Sequence, residues 1–247
     1  MKAAPIRIGC AGWALRRDDA ESFPPPGTHL ERYARILDAV EINSSFYRPH
    51  QRKTYERWAD SVPGTFRFSV KVPKDITHEA RLADAGDQLA SFLHEVAGLG
   101  DKLGPLLVQL PPGLGFDAAT ARTFFATLRG AFSGPAVCEP RNASWFTRSA
   151  SAVLRRFDIG RVAADPAPVA AAAKPGRFGG IAYYRLHGSP RMYYSAYGDD
   201  ALARLAASLR KDAARGLYVW CIFDNTAAGA ALANALTLRR LIEDAAG

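Results

Sequence analysis

The sequence predicts an α/β fold made of a single TIM barrel, in which eight parallel strands alternate with helices. Short apolar or β-branched runs recur eight times along the 247 residues, and most gaps between them carry a helical period. Several runs are apolar without strict alternation, which is typical of strands buried on both faces. Eight such units in this length match a TIM barrel, so residues 1–247 are expected to form one domain.

The strands are assigned from the apolar runs, each of which is about the length of a single strand. The first is expected to span residues 6–9 and the last residues 219–223. The eight runs begin at Ile6, Ala39, Arg67, Pro105, Ala136, Gly160, Ile181 and Leu217.

The helices are assigned to the gaps that carry an apolar stripe. Thr28 suits the N-cap of the first helix, and Gly216 suits the C-cap of the helix before the last strand. The stretch PAPVAAAAKPGRFGG after Asp165 is assigned to a loop, because its prolines and glycines leave little room for a full helix. The predicted helices cover 28–38, 51–60, 86–100, 117–132, 149–158, 199–216 and 227–246.

Composition sets broad limits on the class of protein. Hydrophobic residues make up 48% of the chain and charged residues 23%, as in ordinary globular proteins. No run of about 18 apolar residues occurs, so neither a membrane helix nor a membrane partner is expected. The N-terminus lacks the apolar region of a secretory signal, so a cytoplasmic location is expected. The three cysteines are widely spaced and are expected to be buried free thiols.

The net charge of +8 favours anionic partners. An anionic small molecule fits this charge best, and nucleic acid is the alternative partner. No tract of five or more basic residues occurs, so the basic residues also fit a solvated surface. The sequence does not determine the oligomeric state.

Polar side chains stand where nearly every predicted strand ends. Glu41, for example, lies between Val40 and Ile42, where burying an unpaired carboxylate would be costly. In TIM barrels the active site lies at the carboxyl ends of the strands, so these side chains are expected to converge in one polar pocket. They are Trp13, Glu41, Asn43, Lys71, Gln109, Glu139, Arg141, Asp165, Arg185, His187, Asp224 and Asn225.

The candidate catalytic residues are Glu41, Glu139, His187 and Lys71. The two glutamates lie on different strands, where different environments can divide acid and base roles between them. His187 is the histidine at a predicted strand end, and histidine is a residue type suited to proton transfer. Lys71 lies between two valines, and an inward-facing lysine needs a partner or a substrate.

The candidate substrate-binding residues include arginines that could hold substrate oxyanions. Trp145 could stack on a ligand or cap the barrel, and Tyr194 could line a lid. As an alternative to catalysis, Glu41 and Glu139 could pair with the arginines as structural salt bridges at the barrel mouth. The candidate binding residues are Trp13, Asn43, Gln109, Arg141, Trp145, Asp165, Arg185, Tyr194 and Asn225.

The chain resembles the YecE-like family, a domain-of-unknown-function family. The resemblance rests on the runs IGCAGW, VEINSSFYR, FSVKVPKDITH, LGPLLVQLPP, VCEPRNASWF, YYRLHG and FDNTAAGAA, which follow the family's order over nearly the whole chain. It implies a TIM barrel and adds little about the reaction, because the family's activity is not established. The chain departs from the family's usual residues at Cys10, Pro140 and Asp224.

Three functions remain open at this level. The first is an enzyme, of hydrolase, lyase or isomerase type, acting on a phosphorylated, carboxylated or sugar-like molecule or a phosphodiester. A phosphate could rest near Gly188–Ser189 and Thr226–Gly229, in the loops after strands 7 and 8. The second is nucleic-acid binding, with or without nuclease activity, and the third is a non-catalytic ligand-binding barrel.

A divalent metal cofactor is less favoured than a metal-free site. The strand ends supply oxygen and nitrogen donors of the right type. However, His187 is the one histidine among them, and three basic residues compete for the same carboxylates.

Overall fold

The computed structural model describes residues 4–19 and 21–244, and within these ranges the chain forms nine strands and seven α-helices. The predicted end of the last helix at residue 246 lies outside the described residues. The strands are β1 (Ile6–Cys10), β2 (Ala39–Ile42), β3 (Arg67–Lys71), β4 (Leu103–Gln109), β5 (Ala136–Glu139), β6 (Ile159–Arg161), β7 (Ala163–Asp165), β8 (Ile181–Leu186) and β9 (Tyr218–Phe223). The helices are α1 (His29–Ala34), α2 (Arg52–Asp60), α3 (Gly86–Val96), α4 (Ala118–Ala131), α5 (Arg148–Arg156), α6 (Asp199–Ala214) and α7 (Ala230–Glu243).

All the strand pairings are parallel, which confirms a parallel α/β fold. One sheet has the strand order β1-β9-β8-β7, and the other has the order β2-β3-β4-β5-β6. The sixth predicted run is divided into β6 and β7, which are separated by Val162 and pair in different sheets. The closed eight-stranded sheet that the sequence predicts therefore stays a prediction.

Two contacts link the sheets outside the named strands. Ala11 forms an isolated parallel bridge with Glu41, and Gly12 N–H donates to the Glu41 carbonyl over 2.9 Å. Val162 N–H donates to the Cys138 carbonyl over 2.9 Å. The β2 edge of the second sheet therefore contacts the segment after β1, and the residue between β6 and β7 bonds to β5.

The helix ends follow the local sequence signals. Thr28 and Glu31 form a capping box at α1, in which each side chain accepts from the backbone N–H of the other residue. Gly216 follows α6 at a φ of +78°, a conformation that favours glycine. The segment between β7 and β8 contains short 3-10 turns and no α-helix among its described residues, which confirms the predicted loop.

The hydrophobic core has two parts, and the smaller one positions the polar strand ends. The larger part packs the helices against the sheets, whereas the smaller part collects inward residues from both sheets. Because side chains alternate along a strand, the residue two positions later points to the same side. Glu41 thus points to the same side of its strand as Ala39, and Glu139 points to the same side as Val137. The small core contains Ala39, Leu107, Val137, Val162, Ile181, Tyr183, Trp220 and Ile222.

The buried thiols match the prediction. Cys10, Cys138 and Cys221 are free and buried. Burial raises the pKa of Cys10 to about 12, so this thiol stays protonated at neutral pH. Separately, none of the described helices has the length and apolar character needed to cross a membrane.

Candidate active site

A group of charged side chains, named here the charged cluster, lies at the carboxyl ends of the strands. Its centre is Arg185, whose Nη2 lies 2.7 Å from Glu41 Oε1 and whose Nε lies 3.0 Å from Glu41 Oε2. Arg185 Nη1 lies 3.3 Å from Glu139 Oε2, and Arg185 Nη2 lies 3.1 Å from Asp224 Oδ2. One guanidinium therefore contacts three carboxylates. The cluster contains Glu41, Lys71, Glu139, Arg141, Arg185, His187 and Asp224.

Glu41 is completely buried and lies on the side of the cluster that contacts the small core through Tyr183. Besides the side-on pair with Arg185, it receives a contact from Tyr183, whose hydroxyl lies 2.9 Å from Glu41 Oε2 and 2.9 Å from Ser69 Oγ. Ser69 Oγ donates to the Pro105 carbonyl over 2.9 Å. These are the contacts of a satisfied buried ion pair. They correspond to the structural alternative for Glu41 that the sequence left open.

His187 links two carboxylates of the cluster. Its Nδ1 lies 2.9 Å from Asp224 Oδ2, and its Nε2 lies 2.8 Å from Glu139 Oε1. Arg141 Nη2 lies 2.6 Å from the same Glu139 oxygen and also contacts His187 Nε2. Both ring nitrogens can donate to carboxylates at once only in the protonated imidazole. The geometry therefore suits a proton held between Glu139 and Asp224.

The pKa values of Glu139 and Asp224 lie below their ordinary range. Burial alone would raise the pKa of Glu139, but the positive charges of His187, Arg185 and Arg141 outweigh it. Burial likewise opposes the shift at Asp224, where Arg185 and the hydrogen bond from His187 lower the pKa. Both carboxylates are consequently ionised at neutral pH, so they accept or stabilise protons rather than supply them.

Lys71 differs from the other cations of the cluster because it lacks a paired carboxylate. Its side chain is almost fully buried, yet its Nζ makes no hydrogen bond or ion pair with any residue that the structure describes. The ammonium instead lies over the ring of Phe46, 3.8 Å from the centroid. Burial and the charge of Arg185 lower the pKa of Lys71 to about 8, although Glu41, Asp224 and Glu139 act in the opposite direction.

Three further polar atoms at the strand ends have no hydrogen-bond partner among the described residues. They are Asn43 Oδ1, Arg141 Nε and Asn225 Oδ1. Buried polar atoms are normally satisfied, so each one in a native protein needs an explanation. A polar ligand that reached these atoms would satisfy them.

Trp13, Gln109 and Asp165 lie around the cluster. The ring of Trp13 is partly buried and packs edge-on against Trp58, with 5.0 Å between the centroids. Gln109 is partly exposed at the end of β4. The carbonyl of Asp165 accepts from the backbone N–H of His187 over 2.7 Å, so this residue positions the strand end that carries the histidine.

Trp145 and Tyr194 lie away from the charged groups. Trp145 is 1% exposed, its Nε1 donates to the Leu114 carbonyl over 3.0 Å, and its ring packs edge-on against Phe116. The indole is almost fully enclosed, and it lines a cavity of about 310 Å³ together with Leu114 and Thr120. Tyr194 is 45% exposed and stacks with the Arg191 guanidinium, so it projects outward from its loop.

The loop of residues 188–198 lies over the histidine side of the cluster. Tyr193 packs edge-on against the His187 ring, with 5.8 Å between the centroids. Asn225 Nδ2 donates to the Ser195 carbonyl over 3.0 Å, so this predicted binding residue holds the loop in place. With this loop in place, His187 is completely buried.

Sequence reasoning missed three residues that touch the cluster. The Tyr183 hydroxyl contacts the Glu41 carboxylate, and Ser69 contacts the Tyr183 hydroxyl. The ring of Phe46 faces Lys71. Strand alternation could have identified the first two, because Tyr183 lies two positions before Arg185 and Ser69 two positions before Lys71.

The strand ends and the loops after the last two predicted strands differ in what they could bind. Within residues 4–19 and 21–244, no three His, Cys, Asp or Glu side chains are arranged to hold a metal ion. A cavity of about 330 Å³ is lined by Thr226 and Gly229, near one predicted phosphate position. Arg16 also lines it and donates to the carbonyls of Ala227 and Ala228.

Comparison with known sequences gives a family match over almost the whole chain. A family model described as "Protein of unknown function DUF72" matches residues 7–247. UPF0759 protein YecE from Escherichia coli K12 is 30% identical over 151 residues, covering 59% of this chain and 55% of the relative. UPF0759 protein YunF from Bacillus subtilis 168 is 30% identical over 159 residues, covering 58% and 52%. The chain thus spans about half the length of the curated relatives it matches.

Comparison with solved structures supports the fold. A DUF72 family protein from Enterococcus faecalis V583 has a TM-score of 0.78 at 23% identity, with 98% of each chain covered. A DUF72 family protein from Thermotoga maritima MSB8 has a TM-score of 0.78 at 21% identity, covering 96% of this chain and 99% of that chain. At these identities the likeness establishes a shared fold.

Proposed function

We propose that this chain, which belongs to the DUF72 family of proteins of unknown function, is an enzyme that acts on a small anionic substrate. The substrate binds against Lys71 and Arg141 at the carboxyl ends of the strands, and His187 transfers the proton. Glu139 and Asp224 orient the histidine through its two ring nitrogens and balance the positive charge that it carries when protonated. Glu41 acts through Arg185, which it holds in place. The reaction class, whether hydrolase, lyase or isomerase, stays open.

The proposal includes closure of the two sheets into one TIM barrel that forms a single domain. The bridge between Ala11 and Glu41 joins β1 to β2. On the other side, Val162 alone separates β6 from β7. The small core supports closure as well, because it collects inward side chains from both sheets. A closed barrel would place all the strand ends around one mouth.

The observation that carries the proposal is the unpaired ammonium of Lys71. Burying a charge without a partner costs free energy, and proteins normally pair such groups. The cluster holds three carboxylates, but these already contact Arg185, Arg141 and His187. A ligand anion would supply the partner that Lys71 lacks, and Arg141 Nε, which has no hydrogen-bond partner among the described residues, would be a second donor if the ligand reached it.

The charges of the cluster would favour an anion when His187 carries a proton. Three carboxylates face two arginines and Lys71, so the fixed charges balance while the imidazole is neutral. Protonation of His187 would give the cluster an excess positive charge. In a water-excluded site this excess interacts more strongly with a ligand than it would in solvent.

A thermal-shift panel tests the proposal. It contains small carboxylates, sugar phosphates, oligonucleotides and divalent metal ions, each added to the full chain. A ligand at a hundredfold excess over its Kd stabilises the folded state by about 2.7 kcal/mol. At this chain size that corresponds to roughly 5–10 °C in Tm.

Variants make the panel specific. The shift from a small anion should disappear in Lys71→Met and weaken in Arg141→Met, and it should persist in Lys74→Met, whose exposed ammonium pairs with Glu79. Turnover of each stabilising compound is then followed by NMR with wild type and His187→Asn. Binding without turnover would indicate a ligand-binding barrel. Stabilisation by oligonucleotides alone, with a steep salt dependence, would indicate the nucleic-acid alternative.

A further inference from the structure

Lys71 has the surroundings of a nucleophile rather than of a simple charge. Its Nζ lies over the apolar face of Phe46, and no carboxylate of the described residues is within ion-pair distance. Lys74, three residues later, has the opposite environment: it is exposed and its Nζ lies 2.8 Å from Glu79 Oε1. Lys102 Nζ donates to the Ala59 and Val62 carbonyls. The two satisfied lysines have fixed partners, whereas Lys71 does not.

We propose that Lys71 Nζ forms an imine with its substrate, so that the substrate is a small aldehyde or ketone that also carries a carboxylate or phosphate group. This inference rests on the proposed function and narrows its substrate class. The carbonyl carbon would bind at Lys71 and the anionic group at Arg141.

Burial, the charge of Arg185 and the ring of Phe46 together give Lys71 the properties of a reactive amine. Burial and the nearby charge of Arg185 lower its pKa to about 8, so roughly a tenth of the side chain is neutral at pH 7. For an exposed lysine, the neutral fraction at that pH is less than about one in a thousand. The ring of Phe46 favours the ammonium by cation–π attraction, which holds Nζ in one position before reaction.

A role in anion binding alone would explain these surroundings less well. A lysine that binds an anion works best when it is fully protonated, as Lys74 is beside Glu79. Placing an anion-binding ammonium beside Arg185 and away from a carboxylate lowers the fraction that carries charge. The same placement increases the fraction that carries a free electron pair, which is what attack on a carbonyl needs.

The chemical step balances without an added oxidant or reductant. The nitrogen electron pair of neutral Lys71 attacks the carbonyl carbon, the carbon–oxygen π electrons move to oxygen, and that oxygen takes a proton. The nitrogen then loses a proton, and a second proton lets the oxygen leave as water while the C=N bond forms as an iminium ion. The iminium nitrogen loses its remaining proton, so that two protons are taken up and two are released. The net change converts an amine and a carbonyl into an imine and one water. The protonated imidazole of His187 can supply a proton and recover it.

Reductive trapping tests the inference on the wild-type chain. The probe is glyoxylate, the smallest aldehyde that carries a carboxylate, together with sodium cyanoborohydride, whose hydride reduces an imine to a stable secondary amine. Peptide mass spectrometry then measures carboxymethylation at each lysine. At pH 7 we expect Lys71 to be modified at least about tenfold faster than Lys74, because more of its amine is neutral.

The pH profile separates reactivity from simple accessibility. The rate at Lys71 should rise and level off near pH 8, while the rate at Lys74 should continue to rise beyond pH 10. A rate at Lys71 that is equal to or below that at Lys74 would overturn the inference.

Glycolate distinguishes the inference from the proposed function, because it carries a carboxylate but cannot form an imine. If glycolate raises Tm in wild type and raises it less in Arg141→Met, while glyoxylate shows no preference for Lys71, anion binding stands and the imine is wrong. If Lys71 is trapped selectively, the imine is supported. If glyoxylate is not trapped at Lys71 and the whole anion panel gives no shift, both proposals fail.

Discussion

The guanidinium of Arg185 binds both carboxylate oxygens of Glu41, with Nη2 2.7 Å from Oε1 and Nε 3.0 Å from Oε2. These two residues are 144 positions apart in the sequence, and both side chains are buried. A side-on arginine–carboxylate pair fixes the orientation of both groups. Arg185 is therefore held rigidly while its Nη1 contacts Glu139 and its Nη2 also contacts Asp224.

Glu41→Gln is expected to destabilise the chain by about 3–5 kcal/mol, because it leaves a buried arginine without its main counter-charge. Urea unfolding of both proteins measures this difference. The control is Glu56→Gln, which removes an exposed pair with Arg52 and should cost less than about 0.5 kcal/mol. A loss at Glu41 no larger than in the control would show that this carboxylate is not a structural partner.

Lys71→Met is expected to change the pH dependence of stability on the alkaline side. The folded chain has a pKa of about 8 for Lys71, whereas the unfolded chain has the ordinary value near 10.4, so the unfolded state binds more protons between these values. Wild type should therefore gain stability relative to the variant, by about 3 kcal/mol, as pH rises from 8 to 10.5. Lys74→Met should show no such gain, and a flat difference for Lys71→Met would refute the lowered pKa.

Glu139→Gln is expected to reduce the sensitivity of the fold to acid. The pKa of Glu139 is lower in the folded chain than in the unfolded one, so its contribution to stability is present above about pH 4.3 and is lost as pH falls below that value. The stability difference between wild type and variant should therefore shrink as pH is lowered from 5 to 3. Equilibrium unfolding at several pH values checks this, and a difference that grows with acid would contradict it.

Tyr183→Phe is expected to lower the stability of the chain without changing its response to a small anion. Removing the hydroxyl that contacts Glu41 and Ser69 should cost about 1–3 kcal/mol. The Tm shift produced by a small anion should stay the same, because Tyr183 lies beneath the groups proposed to touch the ligand. Tyr47→Phe, at a residue 67% exposed, serves as the control and should change stability by less than about 0.5 kcal/mol.

Much of the architecture could be read from local patterns. The positions of the strands follow from short apolar runs, and the starts of α1 and of the loop after Asp165 follow from capping, proline and glycine signals. Strand alternation also determines which polar residues point inward with the small core, as for Glu139 after Val137. The division of the sixth run at Val162 was not predicted, because strand pairing depends on neighbours distant in sequence.

Local sequence patterns identify the charged residues that end the strands, but the pairing among those residues depends on the tertiary structure. Glu41 and Glu139 have similar sequence contexts, yet one binds Arg185 side-on and the other also contacts Arg141 and His187. In the same way Trp145 is enclosed, and Lys71 is left without a carboxylate. Spacing along a strand fixes the direction of a side chain, but hydrogen bonds and ion pairs act over a few ångströms between residues far apart in sequence. Their choice of partner therefore depends on the packing of all the strands together.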